Sequence, residues 1–286
     1  TIYPDHKPNH QFKLISDTEI AGYKGSGGWA VTQDIFFNAK FNKPFTVTFF
    51  ENGKKIETLP NRMSKKLVAV LTFNTKAGED VLAKVGISSV DYEGASKNLE
   101  AEINHWDFNK VKNDAHETWK KELSKINVKG GTDDEKTIFY TGLYHTSISP
   151  NTFSDVDFRY RGMDRKIYQS DQEKIYTVFS LWDTFRAYNP LKTITDPDKT
   201  NEFINTLLTK YDQGGVLPMW ELQGNYTGCM IGYHSVSVIV DAYTKGIRGY
   251  DVKKAYEAVV HASTYDTTDI FFPSERVKNI LMPKGK

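Results

Sequence analysis

A side chain that places an aromatic ring next to an acid offers two kinds of contact at once. The ring covers an apolar face, and the carboxylate accepts hydrogen bonds from hydroxyls. Trp182-Asp183 and Trp220-Glu221 are such pairs, each set in a segment with further polar groups. The first lies in Ser180-Leu-Trp-Asp-Thr-Phe-Arg186, which gathers an indole, a carboxylate and a guanidinium within two helical turns. Asp183 and Arg186 are three residues apart and can share one helix face. A helix start with a structural ion pair and a core Trp accounts for the same residues. The second pair lies in Gly214-Gly-Val-Leu-Pro-Met-Trp-Glu221, followed by Leu-Gln-Gly-Asn225. Its glycines, its proline and its Gly-Asn pair mark a loop, and binding groups collect on loops. Trp220 beside Glu221 would suit a sugar; an exposed loop anchored by one Trp is the plainer alternative. A third segment, Thr227-Gly-Cys-Met-Ile-Gly-Tyr-His-Ser235, has two glycines that permit close backbone approach. His234 could donate to a hydroxyl there, or serve as an ordinary structural histidine at a helix start.

Other chemistries find less support. Asp155, Asp157 and Asp164 are close in sequence and could hold a hard cation, but the glycine-marked spacing of an EF-hand loop is missing. The seven histidines include no HExxH or other metal-ligand spacing. The sequence has no GxSxG, P-loop or dinucleotide fingerprint, which argues against serine hydrolase, nucleotide and Rossmann chemistry. The single cysteine, Cys229, excludes an intramolecular disulfide and a cysteine-cluster metal site. Asn225-Tyr226-Thr227 fits the N-glycosylation pattern, which is common by chance. The net charge of +1 lacks the basic excess expected of a nucleic-acid partner. No apolar run reaches the roughly 18 residues of a membrane span. The polar start, Thr1 to Gln11, shows no export signal. The chain carries 17 Phe, 16 Tyr and 5 Trp, enough to fill large cores or to stack on sugars.

The elements that would position these groups change in kind along the chain. Its 286 residues suit one or two domains of about 100–200 residues. The first stretch, 1–92, reads as strands. Phe45–Phe49 alternates with the period of a half-buried strand, and Asn52-Gly53 supplies a hairpin turn. Leu67–Phe73 is β-rich, and Leu82–Ser88 alternates again. Short antiparallel strands with turn signals suggest a β-sandwich. Residues 93–128 read as a helical linker of one or two helices that ends in a short strand at Ile126–Val128. From 129 to 286 the pattern is helical. Thr132 to Glu135 has the form of a capping box, and Gly162-Met163-Asp164 turns a small hairpin. Further helices are predicted near 180–191, 197–211, 230–245 and 251–263, with Gly246 as a C-cap glycine. Asp241 and Lys245 form an i,i+4 pair. The tail, Asp269 to Lys286, has no closing element, as in an unfinished helical domain.

Five segments in order resemble glycoside hydrolase family 92. They are GYKGSGGWAVTQDIFFNAKFNKPF, FYTGLYHTSISPNTFSDVDFRYRG, SLWDTFRAYNPLKTITDP, GGVLPMWELQGN and CMIGYHSVSVIVDAYTKGI, which extend from about Gly22 to about Asp251. The resemblance implies an incomplete N-terminal antiparallel β-sandwich, a helical linker and the first part of an (α/α)6 barrel. It also implies an inverting, calcium-dependent exo-α-mannosidase whose partner is an α-mannoside glycan. Trp182 and Asp183 are then expected to line the pocket for terminal mannose, with Trp220, Glu221 and His234 also in contact. Arg186 would orient Asp183, and Gly232 would lie behind the contacts. The resemblance places the general acid, the base carboxylates and most calcium ligands beyond Lys286. The chain alone is therefore expected to be inactive and to need the missing C-terminal part. Position 226 is Tyr where the family pattern has an acidic residue. A secreted or periplasmic location follows from the glycan substrate. A non-catalytic carbohydrate-binding module of the same architecture is the alternative reading, and an inverting phosphorylase of the same build is a third. The two indole–carboxylate pairs are expected to converge on one hexose-sized hollow.

Overall fold

The structure is a computed structural model that describes residues 9–60 and 64–264. It contains two compact units. The first comprises the described residues up to Trp106, with Phe153–Arg161 and Ile167–Gln172; the second comprises 107–152, 162–166 and 173–264.

The first unit opens with β1 (Asn9–Leu14), β2 (Glu19–Ser26), β3 (Gln33–Phe41), β4 (Phe45–Glu51), β5 (Lys54–Ile56), β6 (Leu67–Phe73) and β7 (Ala83–Ser88), followed by α1 (Tyr92–Glu102). All pairings are antiparallel, in two sheets ordered β1-β2-β3-β7 and β5-β4-β6. In β6 the alternation buries Leu67 and turns Val68 and Val70 outward, as a strand with one buried face requires. The β4–β5 hairpin turns on Asn52 (φ 52°) and Gly53 (φ 80°), two residues that tolerate left-handed backbone. Aromatic rings from both sheets form the core between them. Phe12 of β1 lies 6.1 Å from Phe37 of β3 and 6.2 Å from Phe49 of β4, and Phe41 of β3 lies 5.3 Å from Phe73 of β6. This is the antiparallel sandwich that the alternation predicts.

Strand β7 buries the half of its side chains that composition would leave outside. Lys84, Gly86 and Ser88 are buried, while Val85 and Ile87 are 51% and 62% exposed. The cause is α1, which packs on that face so closely that a Cβ at Gly86 would lie 2.2 Å from the Ala95 carbonyl oxygen. Lys84 is satisfied by donating to the Ile103 carbonyl at 2.9 Å and by lying over the Trp106 ring. Part of the stretch read as linker thus belongs to the sandwich unit.

The chain then builds the second unit with α2 (Phe108–Leu123), α3 (Asp133–Thr146) and β8 (Asn151–Thr152). The Thr132–Glu135 capping box forms as expected, with Thr132 N donating to Glu135 at 2.7 Å. The strand expected at Ile126–Val128 does not form. Those residues have no ladder partner; the Tyr140 hydroxyl of α3 instead donates to the Ile126 carbonyl at 3.2 Å. A hairpin in the first unit follows, β9 (Arg159–Arg161) with β10 (Ile167–Gln169). Asp155, just before it, is 4% exposed and accepts from Ser88 at 2.7 Å and Asn98 at 2.8 Å. Burial raises its carboxyl above the ordinary value, although those two hydrogen bonds act the other way. Asp157 is held by Arg159 and Lys97, and Asp164 by Lys166. The three aspartates considered as cation ligands therefore each bind cationic or hydrogen-bonding side chains.

The rest of the second unit is β11 (Tyr176–Thr177), β12 (Phe179–Ser180), α4 (Leu181–Thr184), α5 (Tyr188–Thr195), α6 (Pro197–Gly214), β13 (Trp220–Glu221), α7 (His234–Thr244) and α8 (Val252–Thr264). The single helix predicted over 180–191 is two pieces. Pro190 lacks an N–H and its ring would clash with the carbonyl four residues back, so a helix cannot run through from Leu181. Helix α6 starts at an Asp196 N-cap with Pro197 and stops at Gly215 (φ 76°). Helix α7 starts at His234 rather than Met230, because Met230 (φ 62°) and Gly232 (φ 95°) are left-handed. Gly246 (φ 84°) follows its last turn, and Lys245 meets Asp241 at 2.7 Å. Leu181, Ile204, Leu207, Met219, Ala242 and Ala258 are at most 1% exposed and form the centre of the helical core. Burying one such Leu contributes about 1.5–3 kcal/mol. Among the described residues no helix is long and apolar enough to cross a membrane.

Candidate functional site

Two of the three sequence-predicted segments meet on one ladder of the second unit. Strands β12 and β13 pair with Ser180 opposite Trp220 and Phe179 opposite Glu221, and Leu181 N extends the contact to the Met219 carbonyl at 3.1 Å. This ladder forms inside the stretch that glycine and proline mark as a loop. It sets the first turn of α4, which carries Trp182 and Asp183.

Asp183 is exposed, and its carboxylate accepts from the Ser180 hydroxyl. The expected Asp183–Arg186 pair does not form. Arg186 donates instead to the Trp182 carbonyl at 3.1 Å, and its guanidinium lies 5.7 Å from the Trp182 ring centre and 5.0 Å from that of Phe185. One helical turn is too short for the long Arg stem to double back when two rings offer it a stacking surface. Asp183 is therefore oriented by Ser180. The Ser-x-x-Asp spacing was the visible signal for that bond.

His234 completes this surface. Its ring lies 5.3 Å from Trp182 and 4.2 Å from Phe185, both tilted toward edge contact. Gly232 explains how the ring fits: a Cβ there would lie 2.5 Å from His234 Cε1. Burial first, and then the nearby Arg186 charge, hold the imidazole below its ordinary pKa, so it is neutral at pH 7. A neutral imidazole has one N–H to donate and one lone pair to accept. Met230, Ile231 and Tyr233 stand exposed beside it at 54%, 75% and 58%. Trp182, Gly232 and His234 are thus brought together, and Asp183 follows Trp182 in the first turn of α4 as an exposed carboxylate held by Ser180.

Trp220 and Glu221 are placed differently. Trp220 is 9% exposed and Glu221 0%. The Glu221 carboxylate meets Lys210 Nζ of α6 at 2.7 Å, Thr177 Oγ1 at 3.1 Å and the Gly224 amide at 2.7 Å. Lys210 is itself 3% exposed, and burial pulls its ammonium below the ordinary lysine range against the opposing effect of Glu221. A charge buried this deeply is stable only with its partner in place. Glu221 lies under the surface that carries Asp183, as part of its foundation. Nothing in sequence spacing pointed to Lys210 or Thr177, which lie in other elements. Asn225 is also 0% exposed and donates to the Leu222 and Gln223 carbonyls, so the folded chain offers no amide at this sequon. Among the described residues no three His, Cys, Asp or Glu side chains converge as a metal site.

The chain is similar in sequence and fold to known proteins. The chain is 35% identical to a family GH92 α-mannosidase from Bacteroides thetaiotaomicron over 92% of its length, with a TM-score of 0.86. The same enzyme in complex with mannoimidazole matches at 36% identity over 91% of the chain, with a TM-score of 0.84. An inverting GH92 mannosidase from that organism matches at 27% identity over 92% of the chain, with a TM-score of 0.79. This chain spans 36% of the length of each of these enzymes. An uncharacterized secreted glycosidase of Arthroderma benhamiae is 28% identical over 66% of the chain and 21% of its own length. The fold of these solved structures is the sandwich-then-barrel architecture expected from the sequence, of which this chain is a part. The Glycosyl hydrolase family 92 N-terminal domain matches residues 2–88 and the family 92 catalytic domain residues 94–280, and the chain belongs to that family.

Proposed function

We propose that the chain is part of an inverting exo-α-mannosidase that removes terminal α-mannose from glycans, and that it carries part of the sugar pocket. The observation that supports this most directly is the exposed Asp183 carboxylate, fixed by Ser180 and next in sequence to Trp182, whose indole meets the neutral His234 ring. A hexose binds such a surface through ring stacking and hydroxyl hydrogen bonds to the carboxylate and imidazole. The GH92 α-mannosidase crystallised with mannoimidazole supports the substrate class, and the inverting relative supports the stereochemistry.

In this reading Trp182, Asp183 and His234 touch the sugar, while Trp220 and Glu221 support them. The acid that protonates the leaving oxygen and the base that activates water lie outside residues 1–286. An inverting pair stands about 6.5–9.5 Å apart to admit that water. Calcium, when bound, would be held by ligands largely outside this chain and would coordinate sugar hydroxyls as a hard cation. A secreted location fits a glycan-degrading enzyme and the secreted Arthroderma relative.

The test is release of mannose from an α-mannobiose, followed by proton NMR to read the first anomer. The 286-residue chain is expected to release none, and a longer protein containing it to release β-mannose in a chelator-sensitive reaction. Turnover by the 286-residue chain alone, abolished by Asp183→Ala, would defeat the inactivity claim. Calcium-independent mannose binding without turnover in the longer protein would favour a carbohydrate-binding module. Phosphate-dependent turnover would indicate a phosphorylase.

A further inference from the structure

The β12–β13 ladder is only two residues long on each strand, yet it decides which side chains face outward near Asp183. A ladder this short does not fix its own register, and a slip of one residue turns every side chain to the opposite face. Such a slip would turn Glu221 out, turn Trp220 over and displace Ser180, the donor to Asp183.

Three buried side chains oppose that slip. Lys210 projects from α6, whose Leu207 and Leu208 lie in the helical core. Its Nζ reaches Glu221 Oε1 at 2.7 Å, and the same oxygen accepts the Gly224 amide at 2.7 Å. Thr177 Oγ1 lies 3.1 Å from both Glu221 oxygens and accepts the Gln223 amide at 2.6 Å. One carboxylate therefore fixes both ends of the 221–224 turn to two separate elements, α6 and β11. The turn itself is strained into shape by Gln223 (φ 50°) and Gly224 (φ 69°) and closed by Leu222 and Asn225, which exchange backbone hydrogen bonds at 3.0 Å. Phe179, at 1% exposure, has its ring centre 5.8 Å from Lys210 Nζ, so the pair lies against a buried ring. Apolar side chains of the same volume would fill this space without selecting a register. A buried ion pair selects one, because any other register leaves a charge unpaired in the core.

We propose that Lys210, Glu221 and Thr177 form a register lock that positions Ser180, and through it Asp183, for sugar binding. Lys210 and Thr177 are positioning residues in this scheme. Glu221 neither touches sugar nor transfers a proton. The consequence for sugar rests on the reading given under Proposed function; the lock itself does not.

Amide hydrogen exchange on the 286-residue chain tests the lock without any sugar. In Lys210→Met, exchange at 180–183 and 220–227 is expected to quicken at least 100-fold and more than in α8, with the sandwich strands unchanged. Thr177→Val is nearly isosteric and keeps the ion pair, so it guards against a Lys210 variant that fails to fold. It is expected to quicken exchange in the same two segments about tenfold. The pair Lys210→Met with Glu221→Gln removes both charges and is expected to recover part of the protection. Uniform quickening along the chain in Thr177→Val, or no change at 180–183, would overturn the lock.

Mannoimidazole binding then separates the lock from the sugar reading. In a longer protein that contains this chain, Thr177→Val is expected to weaken binding about tenfold when Asp183 is present and to have no further effect in an Asp183→Ala background. Additive losses would show that Thr177 acts on stability rather than through Asp183. If a longer protein that contains this chain fails to bind mannoimidazole while exchange behaves as expected, the lock stands and the sugar reading fails.

Discussion

The pairs at 182–183 and 220–221 differ by one methylene in sequence terms and by their whole environment in the fold. Asp183 is exposed, accepts one hydroxyl and keeps the rest of its carboxylate toward solvent. Glu221 is sealed, and its oxygens are engaged by a lysine, a threonine and a backbone amide. A carboxylate that is to bind a ligand must be held with acceptor sites to spare. One that is to hold a fold must have those sites filled, because an unsatisfied buried charge is costly. The same residue pattern therefore serves recognition in one place and architecture in the other, separated by a two-residue ladder.

That contrast predicts opposite mutational profiles. The largest effect is expected from Lys210→Met. Leaving Glu221 buried and unpaired should lower stability by about 3–5 kcal/mol, read from denaturant unfolding of the second unit. Asp183→Ala should move stability by no more than about 0.5 kcal/mol. A comparable loss from both variants would erase the distinction between the two carboxylates.

Sugar binding should rank them the other way in the folded protein. Asp183→Ala removes a charged hydrogen-bond acceptor and is expected to weaken mannoimidazole binding about 10–100-fold, measured by calorimetry on a longer protein that binds it. An unchanged affinity would take Asp183 out of the pocket.

Gly232→Ala should sharpen the picture at the third corner. The residue would have to adopt a left-handed backbone, at about 1–2 kcal/mol, and its Cβ would press on the His234 ring. Ring-current shifts of the His234 protons should change along with the melting temperature. A variant with normal stability and an unmoved ring would show that the glycine is incidental.

The smallest effect concerns pH. His234 has a folded pKa below its ordinary value of 6.5, so as pH falls the unfolded chain takes the proton first. Its contribution to stability is present above pH about 6.5 and declines as pH drops below that. Arg186→Ala should raise the His234 pKa part of the way back, since burial is the larger cause and remains. An NMR titration of the Cε1 proton reads this directly, and no movement would remove Arg186 from the electrostatics of the site.

The features legible in the sequence are those decided within a few residues. The alternation of Leu67–Phe73, the Asn52-Gly53 turn, the Thr132–Glu135 box and the glycine after α7 all stand where local chemistry puts them. Side-chain period, left-handed tolerance and capping geometry depend only on near neighbours, and so does the Ser180–Asp183 contact. The break at Pro190 and the delayed start of α7 were legible in principle through proline geometry and glycine placement. The family resemblance carried the architecture, because ordered segments constrain a fold more than any one motif.

The tertiary structure alone decided which indole–carboxylate pair is open. Thr177 lies 44 positions from Glu221 in the chain, and the lysine that neutralises it sits on a separate helix, α6. It also decided that β7 buries Lys84 and Ser88 rather than Val85 and Ile87, since α1 covers that side. Burial of a polar group depends on whether a distant partner arrives to satisfy it. That free energy belongs to the packed pair and is absent from either residue taken alone.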